Sequence, residues 1–371
     1  MLLTSIFDFS TTSSIFAIIL LLYVFDDVFE RFRRHKISLE KGCKADKAYK
    51  QVDPYLGLLF LYQIFEDFRA RKLLQAWCQR LETTGRTIWI WLLGSRMLVT
   101  TDPENMKTIL ATSSDHFEHG PHMRAAFGVF GNGIFSADGE HWQRSRALFR
   151  PAFAREEIYD TGRFETHIQN FLQLLPADGT LVDVQPMFDR LTMDTATDLL
   201  FGTSSASLTA ESNEEASKFY RSAKYCLWAM FRDWNLGLLG RMLPDRTYTR
   251  ARQHIFKTVE KYVHAALESN AKAVSNGDSV ANCGQHKRYI LLNELVERAK
   301  DPIVLRDEST AALLGGTETT ASLLSNLLYL LSRSPEVWQQ LRAEALGFGD
   351  KALTREHMKE AVYLSYCINE C

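Results

Sequence analysis

Near the end of this 371-residue chain, Leu313-Leu314-Gly315-Gly316-Thr317-Glu318-Thr319-Thr320-Ala321 interrupts a long apolar run. The flanks, Ala311-Ala312-Leu313-Leu314 before it and Leu323-Leu324 to Leu327-Leu328 after it, are apolar on nearly every face, as in a helix through the middle of a domain. Two adjacent glycines cost such a helix roughly 1 kcal/mol each relative to alanine. Three threonines and a carboxylate add polar groups that a buried helix has no packing use for. Local chemistry this poor inside a buried helix marks a functional site. The glycines let a flat group lie against the backbone, and Thr319 follows at helical spacing on the same side. A bent core helix whose Gly and Thr face a neighbouring helix would use the same residues.

A second cluster is Gly139-Glu140-His141-Trp142-Gln143-Arg144-Ser145-Arg146, continuing as Ala147-Leu148-Phe149-Arg150-Pro151-Ala152-Phe153. Trp142 and Arg146 are four apart, on one side of a helix. An indole N–H and a guanidinium together bind an anion, and Arg grips carboxylates in bidentate geometry. Core packing beside a surface ion pair would account for the same two residues.

Gly315-Gly316-Thr317-Glu318-Thr319-Thr320 resembles the Ala/Gly-Gly-x-Asp/Glu-Thr-Thr/Ser oxygen-activation motif that cytochrome P450 monooxygenases carry on a long central helix, and it matches at every defined position. Trp142 and Arg146 are similar to the Trp-x-x-x-Arg pair that binds a haem propionate in that family. The preceding Gly131-Asn132-Gly133-Ile134-Phe135, followed by Asp138-Gly139, resembles the fungal alkane- and fatty-acid-hydroxylating branch. The resemblance runs from about Asp53 to the last residue. It implies a mainly α fold with a small β-sheet, a haem cofactor, and electrons from NADPH through a reductase partner. It also implies that Thr319 bonds to the oxygen being activated, that Glu318 relays protons, and that Gly315 and Gly316 let the helix crowd the porphyrin. Phe127, Phe130 and Phe135 are then candidates for the wall of an apolar substrate channel.

One part of the family pattern is missing. Tyr363-Leu364-Ser365-Tyr366-Cys367-Ile368-Asn369-Glu370 resembles the opening of the family's Glu-x-x-Arg helix, but the arginine is absent. So is the Phe-x-x-Gly-x-Arg-x-Cys-x-Gly loop, whose cysteine thiolate is the axial iron ligand. None of Cys43, Cys78, Cys226, Cys283, Cys367 and Cys371 stands in such a loop. The expectation is a C-terminally truncated member of the family. Its alternative is a noncatalytic product unable to ligate haem iron through a thiolate.

The scattered cysteines include no Cys-x-x-Cys pair for zinc or redox work and fit a reducing compartment. A net charge of −2 gives no global basic field to draw in nucleic acid. Phe9 to Phe25 carries no charge, a run of about 17 residues at the lower end of what spans a bilayer. The basic cluster Arg31, Arg33, Arg34, His35 and Lys36 follows it. Positive charge on that side predicts a single-pass anchor with a cytosolic body, in the endoplasmic reticulum membrane by the family resemblance. A surface-lying amphipathic helix is the alternative. The expected division is residues 1–40 as anchor and basic flank, and residues 41–371 as an incomplete haem monooxygenase domain.

In the body, one helix is expected over Glu66 to Glu82, then two strands, Thr87 to Leu92 and Met97 to Thr100. Asp102-Pro103-Glu104 opens a helix. A long loop covers His119 to Gly139. Helices follow over 140–152, 156–175, 186–201, 214–231, 246–270, 291–298, 308–332 and 335–346, the last capped by Ser334. Ser204 to Asn213 and Ser275 to Lys287 read as flexible connections.

Overall fold

The computed structural model describes residues 14, 25, 28–29, 32–42, 47–54, 56–153, 161–212, 214–275, 289–349 and 355–371. The expected membrane span lies outside these residues apart from Ser14 and Phe25, and no helix among the described residues is long and apolar enough to cross a membrane. Two compact units divide after Thr112, within what the sequence suggests is a single body from residue 41.

The first unit carries the sheet. Strand β1 (Lys47–Ala48) pairs in parallel with β2 (Thr87–Leu92), and β2 pairs antiparallel with β3 (Ser95–Thr100). Alternation places Ile88, Ile90 and Leu92 inside, all at most 2% exposed. Leu93 and Gly94 both take positive φ and close the hairpin in the two-residue geometry that matches strand twist. The expected single helix over 66–82 is instead two, α1 (Leu58–Arg69) and α2 (Leu73–Thr84). Arg71 adopts a left-handed conformation between them, with the Lys72 N–H turned back to the Asp67 carbonyl. Helix α3 (Pro103–Lys107) starts as expected: Asp102 accepts from the Glu104 and Asn105 N–H groups.

The second unit is helical. Its helices are α4 (Pro121–Ala126), α5 (Gly139–Phe153), α6 (Thr161–Gln173), α7 (Gln185–Phe201), α8 (Glu214–Leu236), α9 (Leu238–Met242) and α10 (Arg246–Ser275). Then come α11 (Leu291–Arg298), α12 (Pro302–Ser332), α13 (Pro335–Gly347), α14 (Arg355–Glu360) and α15 (Val362–Asn369). The expected long loop after His119 contains α4 and a short 3-10 turn, Phe127–Phe130. Helix α12 is the axis, lying along α7 and α10. It begins six residues earlier than the sequence suggests, because Asp301 caps it through the Ile303 N–H with Pro302 at the first position. Its first half is buried, with Leu305, Leu313 and Leu314 at 1% exposure or less, while Tyr329 and Leu330 near its end are exposed.

The core joins these helices. Ile255, Val259 and Val263 of α10 meet Leu291, Leu292 and Leu295 of α11 and the buried face of α12. Each such side chain contributes roughly 1.5–3 kcal/mol on full burial. Phe201 and Tyr262 stack at 4.4 Å, tying α7 to α10. Two polar expectations change. Ser204 to Ser212 is not a free connection. Buried Asp194 of α7 accepts from the Ser205 hydroxyl and from the Ser207 and Leu208 N–H groups, which pins a 3-10 turn over Ser207–Ser212. Ser334 precedes α13 without a side-chain cap bond, and the helix starts with Pro335 at its first position and Glu336 in its first turn.

Candidate functional site

A cavity of about 1150 Å³ opens inside the second unit against the middle of α12. That exceeds the roughly 300–1,000 Å³ usual for small-molecule sites. Along α12 the wall follows one stripe, Ala312, Gly316, Thr320 and Leu324, with Ala311 and Gly315 beside it. Four-residue spacing keeps these positions on one face. Helix α7 supplies Leu191, Thr195 and Leu199 opposite, and α5 supplies Arg146, Phe149 and Arg150.

The two glycines meet different surroundings. A Cβ on Gly316 would meet nothing within 4 Å, so the backbone there presents a bare face to the cavity. A Cβ on Gly315 would lie 2.9 Å from the Phe135 ring, which packs directly against that turn. Phe135 also lies 5.2 Å from the Phe130 ring, and Phe130 meets Phe127 edge-on at 5.4 Å. Of the three phenylalanines expected to form a channel, Phe135 lines the cavity, while Phe130 is buried behind it and Phe127 packs against the core.

Arg146 lines the cavity, and Trp142 lies one turn away with its ring centroid 5.2 Å from the Arg146 guanidinium. Trp142 is not part of the cavity wall. Its indole braces the arginine through a cation–π contact. Arg150, a turn further along α5, brings a second guanidinium, which sequence reasoning passed over. Its position four residues after Arg146 was the signal that could have found it.

Thr319 is exposed, and its hydroxyl donates to the Gly315 carbonyl at 2.8 Å. Such bonds to the fourth preceding carbonyl are ordinary for helical threonine. Thr320 takes the wall position, four residues after Gly316. Glu318 points away from the stripe to Lys224 of α8, at 3.3 Å, and Lys224 also reaches buried Asp189 of α7 at 3.0 Å. Burial opposes the Lys224 ammonium, yet Asp189 and Glu318 outweigh it and raise its pKa above the ordinary lysine value. Glu318 therefore faces a permanently charged partner that joins three helices.

These residues fit haem on three sides. Gly316 leaves the flat face clear, the apolar stripe matches a porphyrin, and Arg146 and Arg150 suit anionic carboxylates at its edge. Among the described residues no cysteine lines the cavity. Cys226 is fully buried in α8, where burial pushes its thiol up to about 12.

The sequence model of the family described as Cytochrome P450 matches residues 53–371. The chain belongs to the cytochrome P450 family. The match takes in part of the first unit and the whole helical second unit, whose axis is α12. Cytochrome P450 monooxygenase himC of Aspergillus japonicus is 35% identical over 358 residues, 95% of this chain and 64% of that protein. Cytochrome P450 52A12 of Debaryomyces hansenii is 33% identical over 381 residues, covering 98% of this chain and 73% of the relative. Cytochrome P450 monooxygenase fsdH of Fusarium heterosporum is 30% identical over 356 residues, 94% and 62% of the two chains. The chain thus spans between about three fifths and three quarters of the length of these relatives.

Proposed function

We propose that this cytochrome P450 works as a membrane-anchored monooxygenase that hydroxylates a lipophilic substrate, a fatty acid or an n-alkane. The observation carrying this reading is the cavity itself: an apolar space against a bare glycine face, with two guanidiniums on its wall. Bound haem would supply the redox chemistry that splits dioxygen and inserts one oxygen into a C–H bond. Arg146 and Arg150 would hold its carboxylates, and Trp142 would keep Arg146 in place. Gly315 and Gly316 would accept its flat face. Phe135, Phe149 and Leu199 would keep water away and leave a hydrocarbon chain as the preferred occupant. Electrons would come from NADPH through a reductase.

Thr319 would act beside the glycine gap. Its proton is engaged by the Gly315 carbonyl, so the hydroxyl oxygen is free to accept from a neighbouring donor. Glu318 would pass protons inward from solvent along the Lys224 side of the helix. In the haem-loaded protein, Thr319→Ala should leave haem content and substrate affinity nearly unchanged, while reducing equivalents go to peroxide instead of product. Thr320→Ala should alter substrate affinity without that uncoupling. Unchanged product per electron consumed in Thr319→Ala would remove the residue from the chemistry and leave it a helix-packing threonine.

The activity is tested by supplying NADPH and a reductase with fatty acids and n-alkanes of matched length. Hydroxylated product identified by mass is expected, and none from a haem-loaded sample would reject the reading. The anchor proposal rests on Ile15 to Phe25 and the basic residues after it. The chain should then resist carbonate extraction from microsomes with its body open to cytosolic protease, and release by alkaline washing would exclude a span. A second reading follows from the cavity wall, which contains no cysteine among the described residues. On that reading the 371-residue chain gives no thiolate-type carbon monoxide band and is not catalytic by itself. A strong band of that type would exclude it.

A further inference from the structure

Two consecutive carboxylates stand in the buried first half of α12, two turns before the glycines. Asp307 is 4% exposed and Glu308 is 1% exposed. A helix interior gains nothing from either, and burying a carboxylate without compensation is costly. Each has one oxygen satisfied by the same segment of chain. The Asn132 N–H donates to Asp307 Oδ2 at 2.8 Å, and the Ile134 N–H donates to Glu308 Oε2 at 3.0 Å. The loop from Gly131 to Ser136 is thus held along α12 by its own backbone.

The sequence of that loop follows from the contact. Gly131 sits at φ +63°, and a Cβ there would lie 2.2 Å from the Asp307 carboxyl carbon. A Cβ on Gly133 would lie 3.0 Å from the Asp307 carbonyl oxygen and 3.4 Å from the Ala311 methyl. Both glycines of Gly131-Asn132-Gly133 are therefore set by how closely the loop approaches Asp307. The Ser136 hydroxyl closes the loop on itself, donating to the Gly131 carbonyl at 2.8 Å. Ile134 and Phe135, the next residues along, then reach the cavity, with Phe135 against Gly315.

The two acids are held differently. Asp307 is paired with Arg306, at 2.6 Å, and Arg306 also binds Glu260 of α10 at 3.0 Å. Glu308 has no ion-pair partner among the described residues. Burial pushes its carboxyl up, opposed by the Ser145 hydroxyl of α5 and the Ile134 N–H, with the Asp307 charge adding to the rise.

We propose that Asp307 and Glu308 are positioning residues that clamp the Gly131–Ser136 loop onto α12, and that through Ile134 and Phe135 they set how long a hydrocarbon the cavity accepts. The clamp rests on geometry alone. Its effect on chain length rests on the fatty-acid reading above.

The test compares the unaltered chain with Asp307→Ala, Glu308→Met and Glu308→Gln. Methionine keeps the volume and removes a buried acid without leaving a cation unpaired, so it is compatible with folding. Glutamine restores an acceptor. Amide hydrogen exchange is read at Asn132 and Ile134. Exchange at Ile134 should quicken about tenfold or more in Glu308→Met and return close to the original rate in Glu308→Gln. Exchange at Asn132 should quicken in Asp307→Ala; if that variant does not fold, the Glu308 pair decides alone. Unchanged protection at Ile134 in Glu308→Met would overturn the clamp.

Binding of saturated fatty acids of twelve and sixteen carbons is then measured by calorimetry. The ratio of the two affinities should shift about tenfold in Glu308→Met. Equal weakening of both would overturn the selectivity role and leave a plain stabilising contact. If the unaltered chain binds neither acid, the substrate reading fails, while exchange at Ile134 still decides the clamp.

Discussion

Gly316→Leu is expected to abolish haem uptake while leaving the helical body folded. Nothing lies within 4 Å of where a Cβ would stand, and Gly316 is on the cavity wall, so the new side chain grows into the cavity. The helix itself gains, since leucine is favoured over glycine by somewhat less than the roughly 0.8–1 kcal/mol that separates glycine from alanine. A helix that needed Gly316 only for packing would become more stable and change in no other way. A glycine needed to seat a flat group would show the same gain together with loss of binding. Haem stoichiometry, read from its reduced pyridine adduct, should fall at least about tenfold while the melting temperature holds or rises, because the leucine occupies the bare face the macrocycle requires. Gly315→Ala is a useful contrast, since its methyl meets the Phe135 ring at 2.9 Å and must displace it. Unaltered haem stoichiometry in Gly316→Leu would move the cofactor face away from this turn.

The parts of the fold legible in the sequence were those fixed by local chemistry. Asp102-Pro103 announces its helix because the cap acts over two or three residues. Asp301-Pro302 carries the same signal for α12, and the expected start at 308 overlooked it in favour of the apolar run that follows. Alternation in Thr87 to Leu92 gave the central strand, but its parallel neighbour Lys47–Ala48 is two exposed residues with no pattern of their own. The break at Arg71 depends on a left-handed non-glycine residue, and no residue type there advertises it.

The site divides in the same way. Gly315, Gly316 and Arg146 were legible because they are anomalous within their own helices, and the cavity lies against all three. The partners of the acids were not. Asn132 and Ile134 are 175 and 174 residues from Asp307 and Glu308, and Lys224 is 94 from Glu318. A half-buried carboxylate demands a cation or donors, but a single sequence does not say which of 43 lysines and arginines supplies it. Only the fold, which brings the Lys224 side chain within reach of Asp189 on α7 and Glu318 on α12, selects it. Thr319 shows the limit of spacing arguments: it shares the glycine region, yet the cavity wall passes through Thr320.

Glu318→Gln is expected to slow turnover by ~10²–10⁴-fold with haem content unchanged, since an amide cannot carry a proton between solvent and the reacting centre. The substitution preserves shape and keeps an oxygen for the Lys224 ammonium, so loss of packing does not account for a change of that size. Lys224→Met separates the two duties of the network. It leaves Glu318 with its proton capacity but without its positive partner, and it leaves Asp189, whose side chain is 8% exposed, with the Tyr220 hydroxyl but without its cation. That variant should melt earlier, because breaking a buried pair on one side is strongly destabilising. Its turnover should fall less than that of Glu318→Gln, since the carboxyl that carries the proton is still in place. A solvent isotope effect separates the cases further: proton delivery through Glu318 predicts a larger effect in Glu318→Gln than in the unaltered protein. Turnover within about twofold in Glu318→Gln would be far below the loss typical of a displaced general acid. It would reduce the Glu318–Lys224–Asp189 network to a brace between α7, α8 and α12.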